Sequence, residues 1–315
     1  MTDLFLNMDV HNTFPVIKDF DNDIFILNVH NGKESKIGGK CTANCDILPV
    51  CGCLIQISSS IYHTGGIRNH TSLAQMTLIH IQIELFKDLG ETMPKDRCHH
   101  SMVHTNPLSL YVVGGIEVQL LNQKPVLHSA KYLIHSRKWY LSPPINTPRL
   151  RPGLCSFNQQ YIFCLGGTFN DEIINTFEIL DTCREETGWK VEKLPYVSGI
   201  SEVACIQNRS NEILCFGGVA SNGYTKESYV YHWKEKAWQK NVCPYEGKFS
   251  AECVLLVKGR VYAMSHGEVM RLVEYDVKKN VWDMKAVERW NKLIEYYGKR
   301  KFELMLEKQE MADIE

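Results

Sequence analysis

The chain has 315 residues, 44% of them hydrophobic and 23% charged, enough apolar content to bury a sizeable core and to exclude a disordered chain. Thirty-five Lys and Arg stand against 36 Asp and Glu, a formal net charge of −1, which excludes a global basic field of the kind that binds nucleic acid. No run approaches the roughly 18 apolar residues of a membrane span, and MTDLFLNMDVHNTF lacks the basic start and apolar stretch of a secretory signal. The expected location is the cytoplasm, where the 12 cysteines stay mostly reduced.

Residues 1–38 carry two strand-like runs, FPVIKD and IFILNVHNGKESKI, without a double glycine. CTANCDILPVCGC follows, with Cys41, Cys45, Cys51 and Cys53 close together. Four thiolates suit zinc, but the spacing is not the paired C-x-x-C of common zinc sites. Cys51 and Cys53 would share one face of a strand, and packing of small apolar side chains is the reading preferred here.

From there a pattern recurs. IYHTGG ends at Gly65 and Gly66, LYVVGG at Gly114 and Gly115, FCLGG at Gly166 and Gly167, and ILCFGG at Gly217 and Gly218. The first glycines are 49, 52 and 51 residues apart, and a degenerate copy, VYAMSHG, puts Ser265 at the same point 48 residues on. Each copy adds a pair of apolar or aromatic residues seven apart: Ile79 and Phe86, Tyr132 and Trp139, Tyr231 and Trp238, Tyr275 and Trp282. The third copy stretches the pair to Phe177 and Trp189 around the insertion Thr182 to Gly188, which reads equally as a recognition loop or a tolerated one. Cys53, Met102, Cys155 and Cys205 fall at or next to one repeat position, and Cys164 and Cys215 at another, as buried small residues would. The β-rich runs between turn residues predict strands, and the glycines are expected to end the second strand of each unit, where the chain is crowded and must turn.

Double glycines and spaced aromatics at a period near 50, over roughly Cys41 to Met284, resemble the kelch repeat. The resemblance implies an all-β fold, a six-bladed kelch-type β-propeller with four antiparallel strands per blade. Residues 1–38 would form a divergent first blade and 39–284 five recognisable repeats, making a propeller of 1–284. Residues 285–315, rich in Glu, Lys, Leu and Met, predict a C-terminal α-helical tail. Its apolar stripe contains Trp290, Ile294 and Tyr297, which would dock on the last blade or engage a partner.

The resemblance implies a non-enzymatic scaffold or adaptor that binds a protein, cytoskeletal or part of another multi-subunit assembly. The loops after the glycines and the connections between blades would emerge at one end. They offer Asn69, His70, Asn170, Asp171, Asn222 and Tyr224 from the loops and Arg97, Arg149 and Arg151 from the connections. Some kelch proteins select substrates for ubiquitin ligases through an attached BTB or F-box segment, but neither is evident and 38 leading residues are too few for a BTB domain. The alternative of another class is a metal-dependent or oxidoreductase propeller enzyme. No catalytic motif, cofactor or metal site is expected, and alternation would point His99 and His100 to opposite sides.

Overall fold

The chain folds as a succession of predominantly antiparallel β-sheets, in a computed structural model. The structure describes residues 13–18, 23–28, 34–36, 40–41, 49, 51–57, 60–80, 85–105, 108–120, 122–196, 198–249, 254–265, 272–285 and 288. Trp290, Ile294 and Tyr297 lie outside the described residues.

The first sheet has three strands, Thr13–Lys18, Asp23–Asn28 and Glu34–Lys36. The second has Cys53–Ile57, Ser60–Thr64, Met76–His80 and Leu85–Asp88 in that order, and the short strand Lys40–Cys41 lies parallel along its outer edge. The third is Ser101–Thr105, Ser109–Val113, His128–Leu133 and Lys138–Pro144, and the fourth Gly153–Phe157, Tyr161–Leu165, Thr176–Asp181 and Lys190–Lys193. The fifth is Ala204–Arg209, Glu212–Phe216, Glu227–His232 and Ala237–Val242, and the sixth Val254–Val257, Arg260–Met264, Leu272–Asp276 and Val281–Trp282. The first strand of each sheet packs against the first strand of the next, from Thr13–Lys18 through to Val254–Val257, so the sheets fan out from a common inner edge.

The core lies between sheets rather than at one centre. Met76, Met102 and Tyr132 join the second and third sheets; Tyr111, Ile162 and Trp189 join the third and fourth. Phe163, Phe177 and Tyr231 fill the next interface, and Phe216, Phe249 and Tyr275 the last. A sheet covered on both faces needs strands that are apolar throughout, which is why the second strands read as unbroken runs and Ser109–Val113 is buried at every residue. Cys53, Met102, Cys155, Cys164, Cys205 and Cys215 are all buried, as their repeat positions imply. Cys51 is not on the strand with Cys53: it precedes it in a left-handed turn at φ 59° and is exposed, so the expected shared face does not exist.

The seven-residue aromatic spacing is a cross-strand contact between the third and fourth strands. Tyr132 faces Trp139, Tyr231 faces Trp238 and Tyr275 faces Trp282, with ring centroids 5.0, 4.7 and 5.1 Å apart. Trp189 of the stretched copy instead crosses to the third sheet, where its indole N–H donates to Ser129 Oγ and the Pro143 carbonyl.

The glycine pairs end the second strands and serve the joint to the next unit. Gly166 has φ 57°, and a Cβ there would stand 1.9 Å from the Ile200 carbonyl oxygen, while the Gly167 N–H donates to that same oxygen at 2.8 Å. The other three pairs repeat the bond: Gly66 to Arg97, Gly115 to Arg149 and Gly218 to Gly247. Among the described residues no helix is long and apolar enough to cross a membrane.

A candidate interaction face

Just before the first strand of the second, third, fourth and fifth sheets stand Cys51, His99, Arg151 and Glu202, with φ of 59°, 54°, 49° and 50°. Left-handed backbone costs a non-glycine residue about 1 kcal/mol, so four occurrences at one repeat position call for a compensating contact. It is a backbone chain: His99 N–H donates to the Cys51 carbonyl at 3.0 Å, Arg151 to His99 at 2.8 Å, Glu202 to Arg151 at 3.1 Å and Phe249 to Glu202 at 3.0 Å. The left-handed turn aims each carbonyl sideways at the next sheet.

The side chains on this backbone chain also join. Arg151 Nε donates to His99 Nδ1 at 3.1 Å, and Arg151 Nη1 pairs with Glu202 Oε1 at 3.0 Å. Lys248 Nζ lies 3.5 Å from Glu202 Oε2. Burial lowers His99 to about 4, helped by the Arg151 charge and opposed by Glu202, so a neutral ring accepts the hydrogen bond from Arg151 Nε–H at Nδ1. Arg151 remains about half exposed.

The stretches after the glycines, expected as loops, are short β-hairpins. Ile67–Arg68 pairs with Thr71–Ser72, Ile116–Gln119 with Asn122–Pro125, Thr168–Phe169 with Glu172–Ile173 and Val219–Ala220 with Gly223–Tyr224. Asn69 and His70, like Asn170 and Asp171, both have positive φ, which is the type I′ turn that matches strand twist. The first two hairpins merge into one four-stranded sheet through Gln119 and Thr71, and Ser72 Oγ accepts the Val118 N–H. Single bridges, Cys98 to Ile116, Leu150 to Thr168 and Ser201 to Val219, fasten each later hairpin beside the backbone chain. Both therefore lie at one end of the fan.

Asn69, His70, Asn170, Asp171, Asn222 and Tyr224 are exposed on these hairpins, and Arg151 is exposed beside them. Arg97 and Arg149 require correction, because both are buried, at 0% and 1% exposure. Arg97 donates to the carbonyls of Gly114 and His128, and burial alone pulls its guanidinium down to about 10. Arg149 donates to the Gly166 and Thr176 carbonyls and pairs with the fully buried Glu178 at 2.9 Å. They hold the first-glycine turns from inside, where a partner cannot reach them. His99, Glu202 and Leu120, the last 75% exposed at a hairpin tip, are the residues that sequence reasoning missed.

The chain matches no protein-family model, and no curated protein matches it.

Polar groups elsewhere serve packing. His100 is buried where His99 is half exposed, and Thr64 Oγ1 lies 2.9 Å from its Nε2. Burial lowers His63 to about 4 and His100 well below the usual range. Among the described residues no three His, Cys, Asp or Glu side chains converge as a metal would require. The insertion is anchored, not loose: its single 3-10 turn, Glu185–Thr187, sends Glu185 back to the third sheet. There its carboxylate accepts from Tyr111 and Ser142 at 2.6 and 2.7 Å and pairs with Lys131 at 3.0 Å.

Proposed function

We propose that the chain is a six-bladed kelch-type β-propeller that binds a protein partner through its hairpin end, as a non-enzymatic scaffold or adaptor in the cytoplasm. The repeated glycine joint, the cross-strand aromatic pair and the common inner edge support the kelch reading of the sheets. On this reading the three-stranded first sheet closes the ring beside Val254–Val257.

The observation that carries the functional reading is the exposure of Leu120 and Tyr224 on hairpins bonded at their bases. At 75% and 50% exposure they leave large apolar area in water, and the neighbouring tips differ in chemistry: Asn and His, Asn and Asp, Ser and Asn. Unlike tips on rigid mounts suit one shaped protein surface better than a small repeated ligand. Exposed apolar anchors with a polar surround are the pattern of a protein contact.

The test is quantitative capture from cytosol on immobilised full-length protein, comparing the natural chain with Leu120→Asp combined with Tyr224→Ala. A partner held by the first and lost by the second, with both melting at the same temperature, supports the face. A specific partner held equally by both places recognition elsewhere on the chain.

A further inference from the structure

We infer that Cys51 and Cys98 form a reversible disulfide, a redox staple between the second and third sheets at the rim of the hairpin end. The placement rests on the backbone chain described above. His99 N–H donates to the Cys51 carbonyl at 3.0 Å, so the peptide group that begins at Cys98 lies directly against Cys51. With ordinary backbone dimensions that bond leaves the two Cα atoms roughly 5–6 Å apart, inside the span a disulfide bridges. Cys98 is fixed from its other side by reciprocal backbone bonds with Ile116 of 2.9 and 3.0 Å, and its thiol sits 3.6 Å from the Ile116 carbonyl oxygen. The backbone is in range, and the Cys98 thiol has to turn from the Ile116 carbonyl towards Cys51.

Access divides the roles. Cys51 is exposed and meets a solvent oxidant first, whereas Cys98 is fully buried and can be reached only by a neighbour. Cys155 and Cys205 also contact one another, but both are buried in the core. Among the described cysteines the only other exposed thiol is Cys183, in the insertion.

The oxidant named is a peroxide. The Cys51 sulfur attacks one oxygen of hydrogen peroxide, the O–O bond breaks, and a sulfenic acid and one water form. The Cys98 thiol then gives up its proton, its sulfur attacks Cys51 Sγ, the S–O bond breaks and a second water leaves. Two thiols and one peroxide thus become one disulfide and two waters, and a dithiol reductant reverses the change. Burial, with a smaller push from the Cys51 charge, raises the Cys98 thiol to about 12 against the opposing Arg151 guanidinium. The Arg151 guanidinium favours the Cys98 thiolate. The bridge closes next to the His99 contact with Arg151, so its state bears on the face itself.

The experiment treats the full-length natural protein with hydrogen peroxide, alkylates the remaining thiols, digests without reduction and maps linked peptides by mass spectrometry. The expected product joins Cys51 to Cys98, vanishes with dithiothreitol and is absent from Cys51→Ser. In Cys98→Ser, dimedone should trap Cys51 as the sulfenic acid. A Cys51 that stays unreacted, over-oxidises or pairs with another cysteine, while Cys98 remains alkylatable after unfolding, overturns the proposal. The deciding readout is on the natural chain, so a folding defect in either variant leaves it intact.

Discussion

Replacing Gly166 by alanine tests the claim that the glycine pairs are joints between sheets and not simply turns. Two costs add. The left-handed backbone at φ 57° costs an alanine about 1 kcal/mol. The new Cβ would stand 1.9 Å from the Ile200 oxygen, and that oxygen cannot swing away without losing its 2.8 Å bond from Gly167. The two sheets must part, an overpacking strain of about 1–3 kcal/mol. The sum is about 2–4 kcal/mol. Gly259 supplies the control, because it has φ 77° in the two-residue turn between Val257 and Arg260 and nothing within 4 Å of a Cβ, so Gly259→Ala should lose only about 1 kcal/mol. Equilibrium urea unfolding of both variants measures the difference through their midpoints. Equal losses would refute the joint and leave only a turn preference.

The buried histidines set an acid limb. His63 has a folded pKa of about 4 against an ordinary 6.5, so the unfolded chain takes up its proton first and stability falls as pH drops from 6.5 towards 4. The loss from His63 alone is about 3 kcal/mol, and His63→Gln should flatten that limb in pH-dependent melting. Glu178→Gln strands Arg149 without a counter-charge in the core and should cost about 3–5 kcal/mol, whereas the apolar pair Arg149→Met with Glu178→Leu should cost less than the two single changes summed. Chemical denaturation of Glu178→Gln, the two apolar single changes and their combination checks both expectations. Burial works to raise the Glu185 carboxyl, but bonds from Tyr111, Ser142 and Lys131 prevail and hold it below its ordinary range. Its anchoring is thus present above the ordinary carboxylate pKa and lost as pH falls through the lower folded one. Glu185→Gln should speed tryptic cleavage after the exposed Arg184 at neutral pH, and an unchanged cleavage rate would show that the insertion is held by something else.

Much of the sheet order was legible because it rests on residue types with few substitutes. Only glycine tolerates the Gly166 position, and the Tyr231 and Trp238 rings must meet across one turn, so both recur on a visible clock. The hairpins were missed because two-residue strands give no alternation to read, although Asn69 and Asn170 occupy turn positions that asparagine favours. The arginines misled for a different reason: a guanidinium after a Pro or Lys looks solvated, and its satisfaction by the Gly114 and Gly166 carbonyls is a fact of three dimensions. The backbone chain left no mark at all, since Cys51, His99, Arg151 and Glu202 share a conformation but no chemistry.

That last property separates support from specificity. The lateral main-chain bonds do not depend on side-chain identity, so each of these positions is a standard socket for residues that accept left-handed backbone. The rim of the molecule can therefore be rewritten one residue at a time, with thiol, imidazole, guanidinium and carboxylate already standing side by side on identical mounts. A surface built in this way lends itself to divergence in what it recognises while its frame stays the same.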